Sequence, residues 1–140
     1  MATQSVSDVM TLNPRTFPAD ATIREAAEEM RLSSIGDVLI EEDGEICGIV
    51  TDRDIVIRCI AGGGDPNTDT LGSICSRQIA TLAPTDAVDA AVELMRSKGI
   101  RRIPVVEQGM PVGIVSLGDL AVERDPRSAL GGISAAAPNQ

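Results

Sequence analysis

Gly48-Ile49-Val50-Thr51-Asp52-Arg53-Asp54 returns 65 residues later as Gly113-Ile114-Val115-Ser116-Leu117-Gly118-Asp119, with a hydroxyl and a carboxylate three positions apart each time. The likeness extends outward from this stretch. Residues 23–56 laid over 88–121 without a gap share 11 of 34 positions: Ala26/Ala91, Glu28/Glu93, Met30/Met95, Arg31/Arg96, Ile35/Ile100, Glu42/Glu107, Gly44/Gly109, Gly48/Gly113, Ile49/Ile114, Val50/Val115 and Asp54/Asp119. Ordinary composition would give roughly two or three. The chain is an internal duplication, and each copy is one structural unit.

Upstream of the quoted stretch, Ile23, Ala26, Ala27 and Met30 fall at i, i+3, i+4 and i+7, and Val88, Ala91, Val92 and Met95 repeat that stripe. This spacing predicts an amphipathic helix in each copy. Two β-rich runs follow in copy one, Val38-Leu39-Ile40 and Ile46-Cys47-Gly48-Ile49-Val50, separated by Glu42-Asp43-Gly44. In copy two, Ile103-Pro104-Val105-Val106 and Val112-Gly113-Ile114-Val115 flank Glu107-Gln108-Gly109. Both read as hairpins. A second helix starts at Thr51 or Ser116, and a short first strand is predicted near Ile79 to Leu82 in copy two. The unit is strand, helix, strand, strand, helix, an α+β fold with two βαββα repeats.

The sequence divides into repeat 1 (residues 5–61), a Gly/Pro linker (62–70), repeat 2 (71–124) and a tail (125–140) predicted to be flexible. With 140 residues and 43% apolar content, one shared core is expected. Beyond Thr51, Ile55, Val56, Ile57, Cys59 and Ile60 spread around nearly the whole helix circumference. One sheet face cannot cover them all, which predicts a homodimer interface.

Charge narrows the partners. A net charge of −9 repels nucleic-acid backbones and anionic membrane surfaces. The polar N-terminus and the lack of a ~20-residue apolar run predict a cytoplasmic protein. Three cysteines without Cys-x-x-Cys spacing suit small core residues better than a disulfide framework or a metal site. Histidine is absent, which removes the commonest general base and metal ligand. No enzyme activity, required cofactor or metal is expected. Phe17 is the single aromatic residue, so a bound purine would be held by aliphatic side chains.

Thr51-x-x-Asp54 and Ser116-x-x-Asp119 have two readings. As capping boxes they finish helix N-termini. As ligand sites, the hydroxyl and first helical N–H groups would meet a phosphate while the carboxylate takes both hydroxyls of a ribose. Duplication together with the preceding Gly-Ile-Val favours the second.

Gly-Ile-Val-Thr/Ser-x-x-Asp closing such a repeat, with Gly99-Ile100-Arg101-Arg102-Ile103-Pro104-Val105-Val106 before it, resembles the cystathionine β-synthase (CBS) domain, here as a tandem pair or Bateman module over residues 5–124. Thr51 to Arg58 and Asp65-Pro66-Asn67-Thr68 resemble stand-alone actinobacterial CBS-pair proteins. The resemblance implies two repeats packed sheet to sheet about a pseudo-twofold axis, with clefts for AMP, ADP, ATP or S-adenosylmethionine. By position, one cleft would join Ile49, Thr51 and Asp54 to Ile79, Ala80, Ile100 and Arg101, with Arg102 close by. Its mate would join Ile114, Ser116 and Asp119 to Arg15, Ile35 and Gly36, with Asp37 nearby. Arg101 and Arg102 lead us to expect tighter binding of phosphorylated nucleotide at the Thr51/Asp54 cleft. Where the family often has proline, as at Pro104, copy one has Leu39. The implied function is that of a non-enzymatic sensor with an unidentified protein partner and a role in stress adaptation. The alternative is a ligand-free dimeric scaffold or interaction module.

Overall fold

The computed structural model describes residues 4–77 and 79–124. The tail expected over 125–140 lies outside them. In chain order the elements are β1 (Thr11–Leu12), β2 (Thr16–Pro18), α1 (Ile23–Ser33), β3 (Asp37–Glu42), β4 (Glu45–Thr51), α2 (Asp52–Asp54), α3 (Val88–Lys98), β5 (Arg102–Glu107), β6 (Met110–Ser116) and α4 (Leu117–Arg124). Helix α2 runs on through a π-helical stretch, Ile55–Ile60, and 3-10 turns occupy Val6–Asp8 and Leu71–Ser73. The fold is α+β, with two three-stranded sheets ordered β2-β3-β4 and β1-β6-β5.

Local chemistry explains the shared elements. Helix α1 starts at a capping box in which Glu25 N–H donates to Thr22 Oγ1 and Thr22 N–H to the Glu25 carboxylate, and it stops at Ser34 in the left-handed region. Helix α3 stops at Gly99, φ 65°, where glycine bears no steric penalty. Ile23, Ala26 and Met30 of α1, and Val88, Ala91 and Met95 of α3, are buried, as the stripe requires. The two hairpins turn at Asp43-Gly44 and Gln108-Gly109, with positive φ at both residues of each. Both carry a bulge at one equivalent place, Ile40/Glu41 and Val105/Val106.

Two compact units emerge, and they cut across the sequence copies. One is Arg15–Ile79; the other joins the described residues up to Pro14 to those from Ala80 onward. In Arg15–Ile79, β2 runs parallel to β3 through Phe17↔Ile40, and Ser76 bridges Ile49 antiparallel on the far edge. In the second unit Leu82 bridges Val105 in parallel, which reduces the strand predicted near Ile79–Leu82 to one pairing. There β1 lies antiparallel to β6 through Thr11↔Ile114. Each pairing maps onto its counterpart by the same 65-residue shift.

The expected single core is replaced by two clusters. Ile23, Ala26, Met30, Val38, Ile40, Val50, Cys59, Leu71 and Ile74 form one, and Val6, Leu82, Val88, Ala91, Met95, Ile103, Val105, Val115 and Leu120 the other. The physical reason is the exchanged segment. Leu71 and Val6, both fully buried, add about 1.5–3 kcal/mol of apolar burial each to a unit whose hairpin and helix come from elsewhere in the chain.

Candidate functional site

Each quoted stretch begins on a strand, β4 or β6, whose last residue caps the helix in which the stretch ends. Thr51 N–H donates to Asp54 Oδ2 at 2.9 Å, and Asp54 N–H to Thr51 Oγ1 at 3.1 Å. Ser116 N–H donates to Asp119 Oδ2 at 2.9 Å, and Asp119 N–H to Ser116 Oγ at 3.1 Å. The capping-box reading therefore holds in both copies. It leaves ligand chemistry open, because the boxes consume neither the hydroxyl protons of Thr51 and Ser116 nor the remaining lone pairs of the half-buried carboxylates.

Around this common frame the copies differ. Asp54 Oδ1 faces the Arg58 guanidinium, with Nε at 3.6 Å, and Arg58 also donates to the Ile74 carbonyl at 3.1 Å. Asp119 instead has the Thr11 hydroxyl 3.4 Å from both oxygens. Neither Arg58 nor Thr11 was singled out as a site residue from the sequence. Arg58 was legible as a cation four residues after Asp54; Thr11, 108 residues from Asp119, carried no local signal.

The expected use of the first helical N–H groups for phosphate fails in copy one. Asp52 N–H donates to Gly36 O at 3.0 Å, Arg53 N–H to Asp52 Oδ1 at 2.8 Å, and Asp54 N–H to Thr51. All three donors are spent, and Asp52 adds a negative charge at the same place. In copy two Leu117 N–H is likewise taken, by Arg101 O at 2.8 Å, but Leu117 brings no carboxylate.

Within Arg15–Ile79 the structure brings Gly36 and Asp37 beside the Thr51 box: Asp37 is the strand partner of Thr51. Ile49 stands two residues before Thr51 on β4, and Ile35 closes onto the Met30 carbonyl at the end of α1. Arg15 gives its carbonyl to Leu39 N–H, while its side chain pairs with Glu29 at 2.8 Å. The Ser33 hydroxyl first, and Arg15 second, hold the Glu29 carboxyl below its usual range. Ile79 ends this unit, half-buried. In the other unit Arg102 is the strand partner of Ser116, and Arg101, exposed, precedes it. Ile100 and Ala80 are half-buried, and Ile114 is buried on β6. Each box thus sits in one unit with the αβ loop of its own copy.

The glycines of the motif have a packing role. A Cβ on Gly48 would stand 2.7 Å from Ser76 O and 3.0 Å from Cys75 Sγ; on Gly113 it would meet Met10 Sδ at 2.6 Å and Thr11 O at 2.9 Å. Both glycines let an exchanged segment approach the strand, so their presence upstream is no argument for a ligand. A separate groove of about 510 Å³ in Arg15–Ile79 is lined by Asp20, Glu41, Glu42, Thr70, Gly72 and Arg77 among others, and by none of the site residues read from the sequence.

The CBS-domain family model matches residues 6–60 and 71–124. The chain belongs to the CBS-domain family. Among its relatives, CBS domain-containing protein YhcV of Bacillus subtilis is 39% identical over 120 residues, which cover 86% of this chain and 85% of YhcV. Hypoxic response protein 1 of Mycobacterium tuberculosis is 34% identical over 115 residues, covering 81% and 80% respectively. The crystal structure of Hypoxic Response Protein I with two coordinated zinc ions matches 84% of this chain and 97% of its own at 33% identity, TM-score 0.75. The CBS domain pair of protein MJ0100, solved with 5-methylthioadenosine and S-adenosyl-L-methionine, matches 91% and 100% at 26% identity, TM-score 0.79. CBS pairs are regulatory modules, and this chain is one of them by family.

Proposed function

We propose that this CBS pair is a non-catalytic cytoplasmic sensor that binds an adenosine-containing ligand at its two hydroxyl–carboxylate boxes. One observation carries the reading: twice, at equivalent positions, a half-buried aspartate spends one oxygen on a backbone N–H and keeps the other free of any hydrogen bond shorter than 3.4 Å. A cap needs one carboxylate oxygen, whereas a ribose diol uses two acceptor positions. The adenosine compounds held by the MJ0100 pair support the ligand class. Likeness to hypoxic response protein 1 supports a role in stress adaptation.

The test is calorimetry with AMP, ATP, S-adenosylmethionine and 5-methylthioadenosine on the wild type, Asp54→Asn and Asp119→Asn. Asparagine preserves shape and still offers an oxygen to the cap, but loses the charge. Each change is expected to weaken its own site about 10- to 100-fold, from about 1.5–3 kcal/mol for hydrogen bonds to a charged acceptor. Undiminished affinity in both variants would refute the reading. Arg101→Ala separates phosphorylated from uncharged ligands, because a phosphate preference that depends on this cation is lost with it while adenosine binding is kept.

The same chain is proposed to act as a homodimer. Val56, Ile57 and Ile60 are 56%, 50% and 56% exposed on one π-helical stretch, an apolar strip that water would otherwise cover. If no adenosine compound binds, this strip favours the scaffold reading.

A further inference from the structure

We propose that Arg58 is a latch that couples ligand occupancy of Asp54 to the segment Leu71–Ser76; the coupling rests on the ribose-binding reading of Asp54. Three observations meet at this side chain. Its Nε lies 3.6 Å from Asp54 Oδ1, the oxygen that the capping box leaves over. Another guanidinium nitrogen donates to the Ile74 carbonyl at 3.1 Å. Ile74 belongs to the exchanged segment, which carries the buried Leu71, pairs with β4 through Ser76, and leads directly to the end of the unit at Ile79.

The balance of strengths decides what a ligand does here. At 3.6 Å the Arg58–Asp54 contact is an ion pair without a hydrogen bond, and Arg58 is 50% exposed, so solvent screens it. Two ribose hydroxyls donating to the carboxylate make charge-assisted hydrogen bonds on the same oxygen, which are individually stronger than a screened pair. The ribose therefore wins Asp54 Oδ1. Once Oδ1 is claimed, the guanidinium loses its anchor on the helix, and its grip on the Ile74 carbonyl loosens with it. In copy two the residue four beyond Asp119 is Glu123, so the i, i+4 cation has no counterpart in that part of the sequence. The device is confined to one box.

Linkage makes the proposal sharp. If ligand binding weakens the latch, removing the latch must strengthen ligand binding by the same factor. Adenosine is the probe, because without phosphate it cannot respond to the loss of a cation. In ligand-free protein, amide exchange over residues 71–76 is measured in wild type, Arg58→Met, Asp54→Asn and the double variant. Each single change is expected to speed exchange about threefold, in keeping with one half-exposed charged contact, and the double variant no more than either. Saturating adenosine should speed exchange over 71–76 about threefold in wild type and leave Arg58→Met unchanged, while the adenosine affinity of Arg58→Met rises about threefold. Arg58→Lys should restore part of both effects.

Additive effects of the two single changes, or equal adenosine-induced exchange in wild type and Arg58→Met, would overturn the latch. Adenosine binding that is indifferent to Asp54→Asn would overturn the ligand reading instead, while the ligand-free cycle would still decide whether Arg58 ties Asp54 to Ile74.

Discussion

Gly48→Ala adds a single methyl at a place where no room exists. The new Cβ would stand 2.7 Å from the Ser76 carbonyl oxygen, a backbone atom that is held by its own hydrogen bond from Ile49 N–H at 3.2 Å and cannot swing aside as a side chain could. Relief requires that the exchanged segment lift off β4, which strains or breaks both Ile49–Ser76 bonds. Overpacking costs about 1–3 kcal/mol, and two weakened hydrogen bonds about 1 kcal/mol more, so a loss of about 2–4 kcal/mol is expected. With about 2.1 cal/mol/K of unfolding entropy per residue over 140 residues, each kcal/mol lowers Tm by about 3.4 °C, giving a drop of about 7–14 °C. Gly44→Ala is the control. Its Cβ would meet nothing within 4 Å, so it carries only the cost of φ +81°, about 1–2 kcal/mol or about 3–7 °C. The chain lacks Trp and Tyr, so melting is followed by far-UV circular dichroism. Should Gly48→Ala melt at or above Gly44→Ala, the close approach of Ser76 is not what demands glycine, and the motif's glycine regains its value as a ligand signal.

Thr22→Ala removes the α1 cap and should cost about 1 kcal/mol, lowering Tm by about 3 °C, with adenosine affinity unchanged. Burial first, with Asp69 and Asp65 adding to it, raises the pKa of the Cys59 thiol, so the folded state holds that proton more tightly than the unfolded one; stability should fall as pH rises through the thiol range. Urea melts between about pH 8 and 10 should show a smaller alkaline loss in Cys59→Ala, and equal losses would contradict this. Ile57→Glu places a charge in the exposed strip and should convert a dimer to a folded monomer in sedimentation at micromolar concentration. A monomeric wild type would remove the basis for that interface.

Those parts of the fold that bury a periodic face were legible before the structure. Ile23-Ala26-Met30 and Val88-Ala91-Met95 announce their helices because one side must be apolar, and Asp43-Gly44 and Gln108-Gly109 announce their turns because both residues need positive φ. The exchanged segments escaped detection for the opposite reason. Val6–Asp8, Thr11–Leu12 and Leu71–Ser76 are too short for a period, and nothing local says which sheet they join. Their one available signal was the spacing: Val6/Leu71 and Thr11/Ser76 are 65 apart like every other equivalent pair. The π-helical turn at Ile55–Ile60 was equally hidden, since a helix apolar on all sides shows no preferred period. At the boxes, the hydroxyl and carboxylate were readable from the motif, while their outer partners depended on side-chain reach.

What the duplication kept and what it let drift now separate two roles within one motif. The boxes agree to within 0.1 Å in both hydrogen bonds although Thr has become Ser and both intervening residues have changed. Such agreement is what a cap alone would produce, because backbone geometry fixes it. Selectivity must then come from the changed surroundings: Asp52 against Leu117, Gly36-Asp37 against Arg101-Arg102, and Arg58 at Asp54 against Thr11 at Asp119. All three differences remove or reverse a charge near a carboxylate proposed to hold sugar. If the boxes hold ribose as proposed, the two sites should therefore rank a series of adenosine compounds of rising negative charge differently, even though their box hydrogen bonds have equal lengths. Calorimetry on Asp54→Asn and Asp119→Asn, each leaving one intact site, measures the two rankings separately. Identical rankings would mean that the altered neighbours do not reach the ligand, and that the preserved geometry serves the helix ends alone.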